Sequence, residues 1–287
     1  MLPAHRRILT LGLLAAGVVG VGIAAAGRAR REAMEEHPSP FVRRVLQWPD
    51  TRWTEHVAPH LHVHAPLASR ASYQAPALAA AAESARANNL RLLGATDYAP
   101  RLEVLVVESR EAMRPFLGST PGGWAETAQS AVLVVAGDSA RAPLRHELMH
   151  VLSWQLWGPP SGHWVSEGLA MHAVGRCNGR ELHTMAAALA AAGRLVPLAE
   201  LPRRFDVAGE QGAAMYVQAG SFVRHVVETY GIARLRAFWP HGMRSAPRTL
   251  GVDLATLERG WRARLSEERD PAPWREMWEG VRREGCE

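Results

Sequence analysis

Between residues 142 and 157, apolar side chains fall at Leu144, Leu148, Val151, Leu152 and Leu156. Spacings of three and four predict an amphipathic helix, and Gly158-Pro159-Pro160 ends it. Val165, Leu169 and Val174 predict a second short helix close behind. Two helices joined by so short a loop pack antiparallel. Upstream the period changes. His60-Leu61-His62-Val63-His64 alternates strictly and predicts a strand ending at Pro66. Residues 102–107 and 131–136 predict two more strands. An Ala-rich helix is expected over 76–93, closed by Gly94, and a short one over 111–117, closed by Gly118. Downstream, 180–192, 213–230 (ended by Gly231) and 254–268 read as helices. Short N-terminal strands and a helix, followed by a mainly helical half, predict an α+β fold with the 142–157 helix at the junction. No internal repeat or low-complexity tract appears.

That junction helix carries His146-Glu147-Leu148-Met149-His150. Residues four apart share a helix face, so His146 and His150 can point imidazole nitrogens at one metal ion. Glu147 lies beside the pair, placed to take a proton from a metal-activated water. The third ligand must come from elsewhere, and the candidate is Glu167 in Trp164-Val165-Ser166-Glu167-Gly168-Leu169-Ala170 on the next helix. Two His and one carboxylate suit Zn²⁺ and leave a fourth position open, as in catalytic rather than structural zinc sites.

The chain begins differently. His5, Arg6 and Arg7 precede an uncharged run over 8–27, which as a helix spans about 30 Å, enough for a bilayer core. Ala24-Ala25-Ala26 offers a small-residue cleavage site, so the segment is a cleaved signal peptide or a signal anchor. Its length and the arginines that follow favour the anchor. The chain therefore divides into 1–27, signal anchor or signal peptide; 28–56, a charged, Pro-punctuated juxtamembrane linker with a short helix over 41–46; and 57–287, the metal-binding domain. The expected location is the cytoplasmic membrane with the domain outside it, or export if the segment is cleaved.

Composition narrows the partners. The 287 residues carry a net charge of +5, and all 33 basic side chains are Arg. They are spread along the chain and interleaved with acids, without a basic block set among aromatics, so no nucleic-acid partner is expected. The two cysteines, Cys177 and Cys286, neighbour no other ligand at a metal-binding spacing. In an oxidising compartment they are candidates for one disulfide. His60, His62 and His64 share one strand face, but no carboxylate accompanies them in sequence, and they read as a solvated sheet face rather than a second metal site.

The motif residues, from Arg145 to His150 and from Trp164 to Ala170, resemble the peptidase MA-like domains of the gluzincin metallopeptidases. So do Pro197-Leu198-Ala199-Glu200-Leu201, Tyr216-Val217-Gln218-Ala219-Gly220-Ser221-Phe222-Val223 and Leu257-Glu258-Arg259-Gly260-Trp261. Gly122-Gly123-Trp124-Ala125 leading into the strand near 131 also fits. The resemblance covers roughly 60–265. It implies a zincin-like, thermolysin-like core in which His146, His150 and Glu167 hold zinc and Glu147 is the general base. It also implies that the strand over 131–135 pairs with extended substrate backbone. One departure stands out: one turn after Glu167, where a carboxylate would orient the first His, this chain has Met171.

An acyl-transfer site also needs a donor for the developing oxyanion. Tyr216 and His225 are the candidates on one helix, and their spacing puts them on opposite faces, so at most one lines the cleft. Tyr216 matches the family's recurring aromatic. A core tyrosine with its hydroxyl capped by backbone is the other reading. His163, His172 and His183 lie near the motif in sequence, but nothing places them on the metal. The leading expectation is a zinc peptidase acting on peptide or protein substrates and tied to the membrane by its N-terminal segment. The alternative is a catalytically silent zincin-fold domain that binds peptide or acts as a chaperone, against which the intact Glu147 argues. A zinc hydrolase acting on another amide is a third.

Overall fold

Alternating positions in the first half of the chain build one sheet, and a computed structural model describes it within residues 39–49, 51–136, 142–205, 209–268 and 272–284. The 8–27 segment lies outside these, and among the described residues no helix is long and apolar enough to cross a membrane. Helix α1 (Pro40–Leu46) comes first, with the Ser39 hydroxyl accepting from Val42 N–H and Pro40 in its first turn. Strands β1 (Trp53–Val57) and β2 (Leu61–Pro66) pair antiparallel. Helix α2 (Arg70–Leu93) then crosses back to β3 (Leu102–Val107), which runs parallel to β2. Short helical turns at Glu111–Met113 and Arg114–Leu117 lead into β4 (Gly123–Glu126) and β5 (Ala131–Val135). The sheet order is β1-β2-β3-β5-β4, with β5 parallel to β3 and antiparallel to β4.

Two expectations change here. Part of the supposed linker over 28–56 belongs to the folded domain. Phe41, Val42 and Val45 of α1 are buried against Leu105, Met113 and Leu133, and β1 is an edge strand of the sheet. The apolar spacing 41, 42, 45 is the amphipathic stripe that drives this docking. The helix expected from Pro76 also starts earlier, because Ser69 caps it by accepting from Ser72 N–H; Pro76 sits inside it.

The opposite sheet face carries Val63, Val104 and Val132 and is covered by α2 and by α3 (Leu144–Trp157). Leu148, Val151 and Leu152 of α3 are fully buried there. Each such side chain stabilises the fold by about 1.5–3 kcal/mol relative to exposure. Gly158, at φ +81°, ends α3, and α4 (His163–Val174) follows after a short loop. A two-residue hairpin joins β6 (Arg176–Cys177) to β7 (Arg180–Glu181), with Asn178 and Gly179 both at positive φ, as a type I′ turn requires. Cys177 is fully buried and disulfide-bonded; Cys286 lies outside the described residues.

Helices α5 (Leu182–Ala191), α6 (Gly209–Tyr230), α7 (Ile232–Phe238), α8 (Leu254–Ser266) and α9 (Trp274–Glu284) complete the helical half. The architecture is mixed α+β. Helices α4 and α6 approach closely because glycines face each other's helices. A Cβ on Gly168 would lie 2.7 Å from Ala219 O, and one on Gly220 would lie 2.7 Å from Met171 Cβ. Met171 is thus spent on helix packing, which accounts for the apolar residue at that position.

Candidate metal centre

The apolar face of α3 fixes the opposite stripe, with His146 and His150 one turn apart and ring centroids 4.9 Å apart. Antiparallel packing of α4 brings Glu167 over them. Glu167 Oε2 lies 3.0 Å from His146 Nε2 and 3.4 Å from His150 Nε2. One ligand atom from each of the three residues falls within 4.8 Å of the others. The site is sheltered: His150 is 8% and Glu167 5% exposed. Burial works against the Glu167 carboxylate, yet the charge of His150 and hydrogen bonds from His146, His150 and His163 outweigh it and hold its pKa well below the ordinary range.

Supporting groups hold these ligands in place. The Ser166 hydroxyl lies 2.9 Å from His150 Nδ1, which turns Nε2 of that ring toward Glu167. His163 Nε2 lies 2.8 Å from Glu167 Oε1, so the two carboxylate oxygens are divided, one to His163 and one to the His pair. That hydrogen bond raises the His163 pKa against the opposing effect of burial. Neither contact was read from sequence. His163 is one helical turn before Glu167, a signal that was available; the rotation of Ser166 toward His150 was not.

Glu147 does not join the ligand cluster. It is 8% exposed, and burial raises its pKa, opposed by the charges of His146 and His150. It sits under β4: a Cβ on Gly123 would overlap Glu147 Oε1 and come 2.7 Å from Pro143 Cγ. Only glycine lets the strand lie this close to the carboxylate.

Tyr216 lies at the same place, half-buried, its ring 5.4 Å from Phe205, which in turn packs on His163. Burial, the charges of Glu167 and Glu147, and a hydrogen bond with Glu167 all raise its pKa, so the hydroxyl keeps its proton. His225 is elsewhere, beside Thr229 and Gly260, with burial lowering its pKa to about 4. Of the two oxyanion-donor candidates, only Tyr216 faces the cluster. His183 is also remote, held between Ser221 Oγ at 2.8 Å and Glu228 Oε2 at 3.1 Å. His172 has both ring nitrogens sealed from solvent, and burial lowers its pKa to about 4.

The strand expected to receive substrate is corrected. β5 is interior, hydrogen-bonded to β3 on one side and β4 on the other, so its backbone has no free edge. The edge strand beside Glu147 is β4, whose outer backbone groups face away from the sheet. No known family profile matches the sequence, and no curated protein matches it.

Proposed function

We propose that the protein is a zinc-dependent peptidase of the gluzincin, zincin-like kind, and that His146, His150 and Glu167 are its metal ligands. One observation carries the reading: three suitable donors converge, and the buried, non-ligating carboxylate of Glu147 beside them lies against the edge strand β4. The donors fit zinc chemically. Two imidazoles and one carboxylate match its preference, Glu167 is held in its anionic form, and three protein ligands leave a position open.

Zinc held there would supply a Lewis acid that polarises a carbonyl and lowers the pKa of water. The chain's own residues account for the rest. Glu147 takes a proton from a water molecule as the water oxygen bonds to the amide carbon, and returns it to the leaving nitrogen as the C–N bond breaks. Its burial raises its affinity for that proton. The Tyr216 hydroxyl, protonated, donates to the developing oxyanion. β4 adds an extended peptide as a further strand, which orders the scissile bond along the cleft. The uncharged 8–27 segment and the disulfide-bonded Cys177 support a site outside the cytoplasmic membrane, anchored or exported.

The test is cleavage of a mixed peptide library by the purified full chain. Cleavage is expected, is lost on zinc chelation, and returns on adding zinc back. A zinc-loaded protein that cuts no peptide overturns the proposal. A second measurement probes the strand edge. Gly123→Ala is expected to lower kcat/KM for a cleaved peptide by roughly 10²-fold, because a misplaced catalytic group costs about that much. Zinc content should not change, since the atoms nearest an added Cβ belong to Glu147 and Pro143 and not to a ligand. An unchanged kcat/KM would remove Gly123 from the cleft.

A further inference from the structure

The face of the sheet turned away from α3 carries a second set of donors. His62 and His64 are two apart on β2 and point to the same side, alternating with buried Leu61 and Val63. Strand register supplies the carboxylates that the local sequence lacks. Antiparallel pairing sets Glu55 of β1 opposite His64, and parallel pairing sets Glu103 of β3 opposite His62.

The atoms converge. Glu55 Oε1 lies 3.0 Å and Glu103 Oε1 3.7 Å from His62 Nδ1. Glu103 Oε2 lies 2.7 Å from His64 Nε2. Glu55, His62 and His64 each offer a ligand atom within 4.8 Å of the others. Four ligands at about 2.0–2.2 Å from a tetrahedral zinc stand roughly 3.3–3.6 Å from one another. The three separations of 2.7, 3.0 and 3.7 Å bracket that range, and Glu103, which stands outside the group of three, would join it by turning one carboxylate oxygen inward. His64 is buried, whereas Glu55 stands exposed on the edge strand, which gives an ion a way in. Two neutral imidazoles and two carboxylates would also balance the charge of a divalent cation.

We propose that Glu55, His62, His64 and Glu103 form a second zinc site, structural rather than hydrolytic, that ties β1, β2 and β3 together. With four protein ligands it has no open position for substrate. His60, just before β2, is engaged elsewhere, its Nδ1 3.0 Å from Glu83 Oε2. Arg101 competes with the ion. Its Nη1 lies 2.8 Å from His62 Nε2 and donates to it, which keeps the ring proton on Nδ1, toward Glu55. Zinc on Nδ1 shifts that proton to Nε2, and the exposed Arg101 then turns to solvent.

The site is independent of the peptidase reading, and metal counting separates the two. The full chain, dialysed in zinc and measured by elemental analysis, is expected to hold about two ions. Replacing His62 and His64 together by Asn should leave one, replacing His146 and His150 by Asn should leave one, and combining all four should leave none. A wild-type count unchanged by the His62/His64 replacement overturns the second site. So does a single zinc that the His146/His150 replacement removes. A single zinc removed only by the His62/His64 replacement would support this site and overturn the motif site.

Two milder variants guard against misfolding. Glu55→Gln, exposed at the sheet edge, should weaken one of the two zinc affinities by at least 10–100-fold with an unchanged circular dichroism spectrum. Arg101→Ala should strengthen the same affinity, by about tenfold, because it removes the competing donor. An ion-pair network without metal predicts no change in zinc binding for either, and that result overturns the proposal.

Discussion

Replacing Glu147 by Gln is expected to leave zinc content and fold intact while peptide hydrolysis falls by about 10²–10⁴-fold, the range that loss of a general base costs. The expectation rests on where the carboxylate sits. It lies outside the cluster formed by His146, His150 and Glu167, so its charge is not needed to hold the ion. It is buried under β4, where burial raises its pKa and with it the strength of the base. Gln keeps the size and most of the hydrogen bonding and removes only the ability to take the proton. Tyr216→Phe should cost less, about 10–10³-fold, since one oxyanion donor is lost and the base remains. Measuring kcat/KM alongside zinc content separates these outcomes. If zinc-loaded wild type cleaves nothing, yet binds peptide equally well with Glu or Gln at 147, a silent peptide-binding domain is the better account.

Glu167→Ala should remove one equivalent of zinc. Glu167 Oε2 is the atom that both imidazoles face, and its loss leaves His146 and His150 as an open pair. The drop in affinity should exceed the roughly 10–100-fold that follows loss of a supporting group. His150→Ala should have the same effect. Ser166→Ala should stay within that smaller range, because it frees only the Nδ1 side of His150. Full zinc retention by Glu167→Ala, measured after exhaustive dialysis, would disqualify Glu167 as a ligand. His163, 2.8 Å from that carboxylate, would then be the first replacement to examine.

Much of this was legible in the sequence because helices announce themselves locally. The 3.6-residue period marked α3 within two residues of its observed start, and Gly158 marked its end. The pair of helices carrying His146, His150 and Glu167 followed from one short loop. What sequence concealed was non-local. The order of strands in the sheet, which makes β5 interior and β4 the edge, depends on pairings that no periodicity encodes. For the same reason His62 and His64 looked unaccompanied: Glu103 reaches them only through a parallel register across the α2 crossover. Within 28–56, prolines and charges mask in the sequence the stripe of Phe41, Val42 and Val45 that docks α1 on the sheet.

The glycine contacts between α4 and α6 set a mechanical tolerance. Where Gly168 meets Ala219 O and Gly220 meets Met171 Cβ, backbone comes up to backbone or a Cβ, with Val223 and Leu182 packed beside the two contacts, so little room is left to absorb displacement. Glu167 is the residue before one of these glycines, and Tyr216 lies one turn before the other. The carboxylate and the hydroxyl are therefore carried on a single stiff unit, and any shift of α6 is transmitted to both in the same direction. A methyl group added at either glycine would act at a distance, like a shim under one leg of a tripod, tilting the site without touching a single group that performs chemistry.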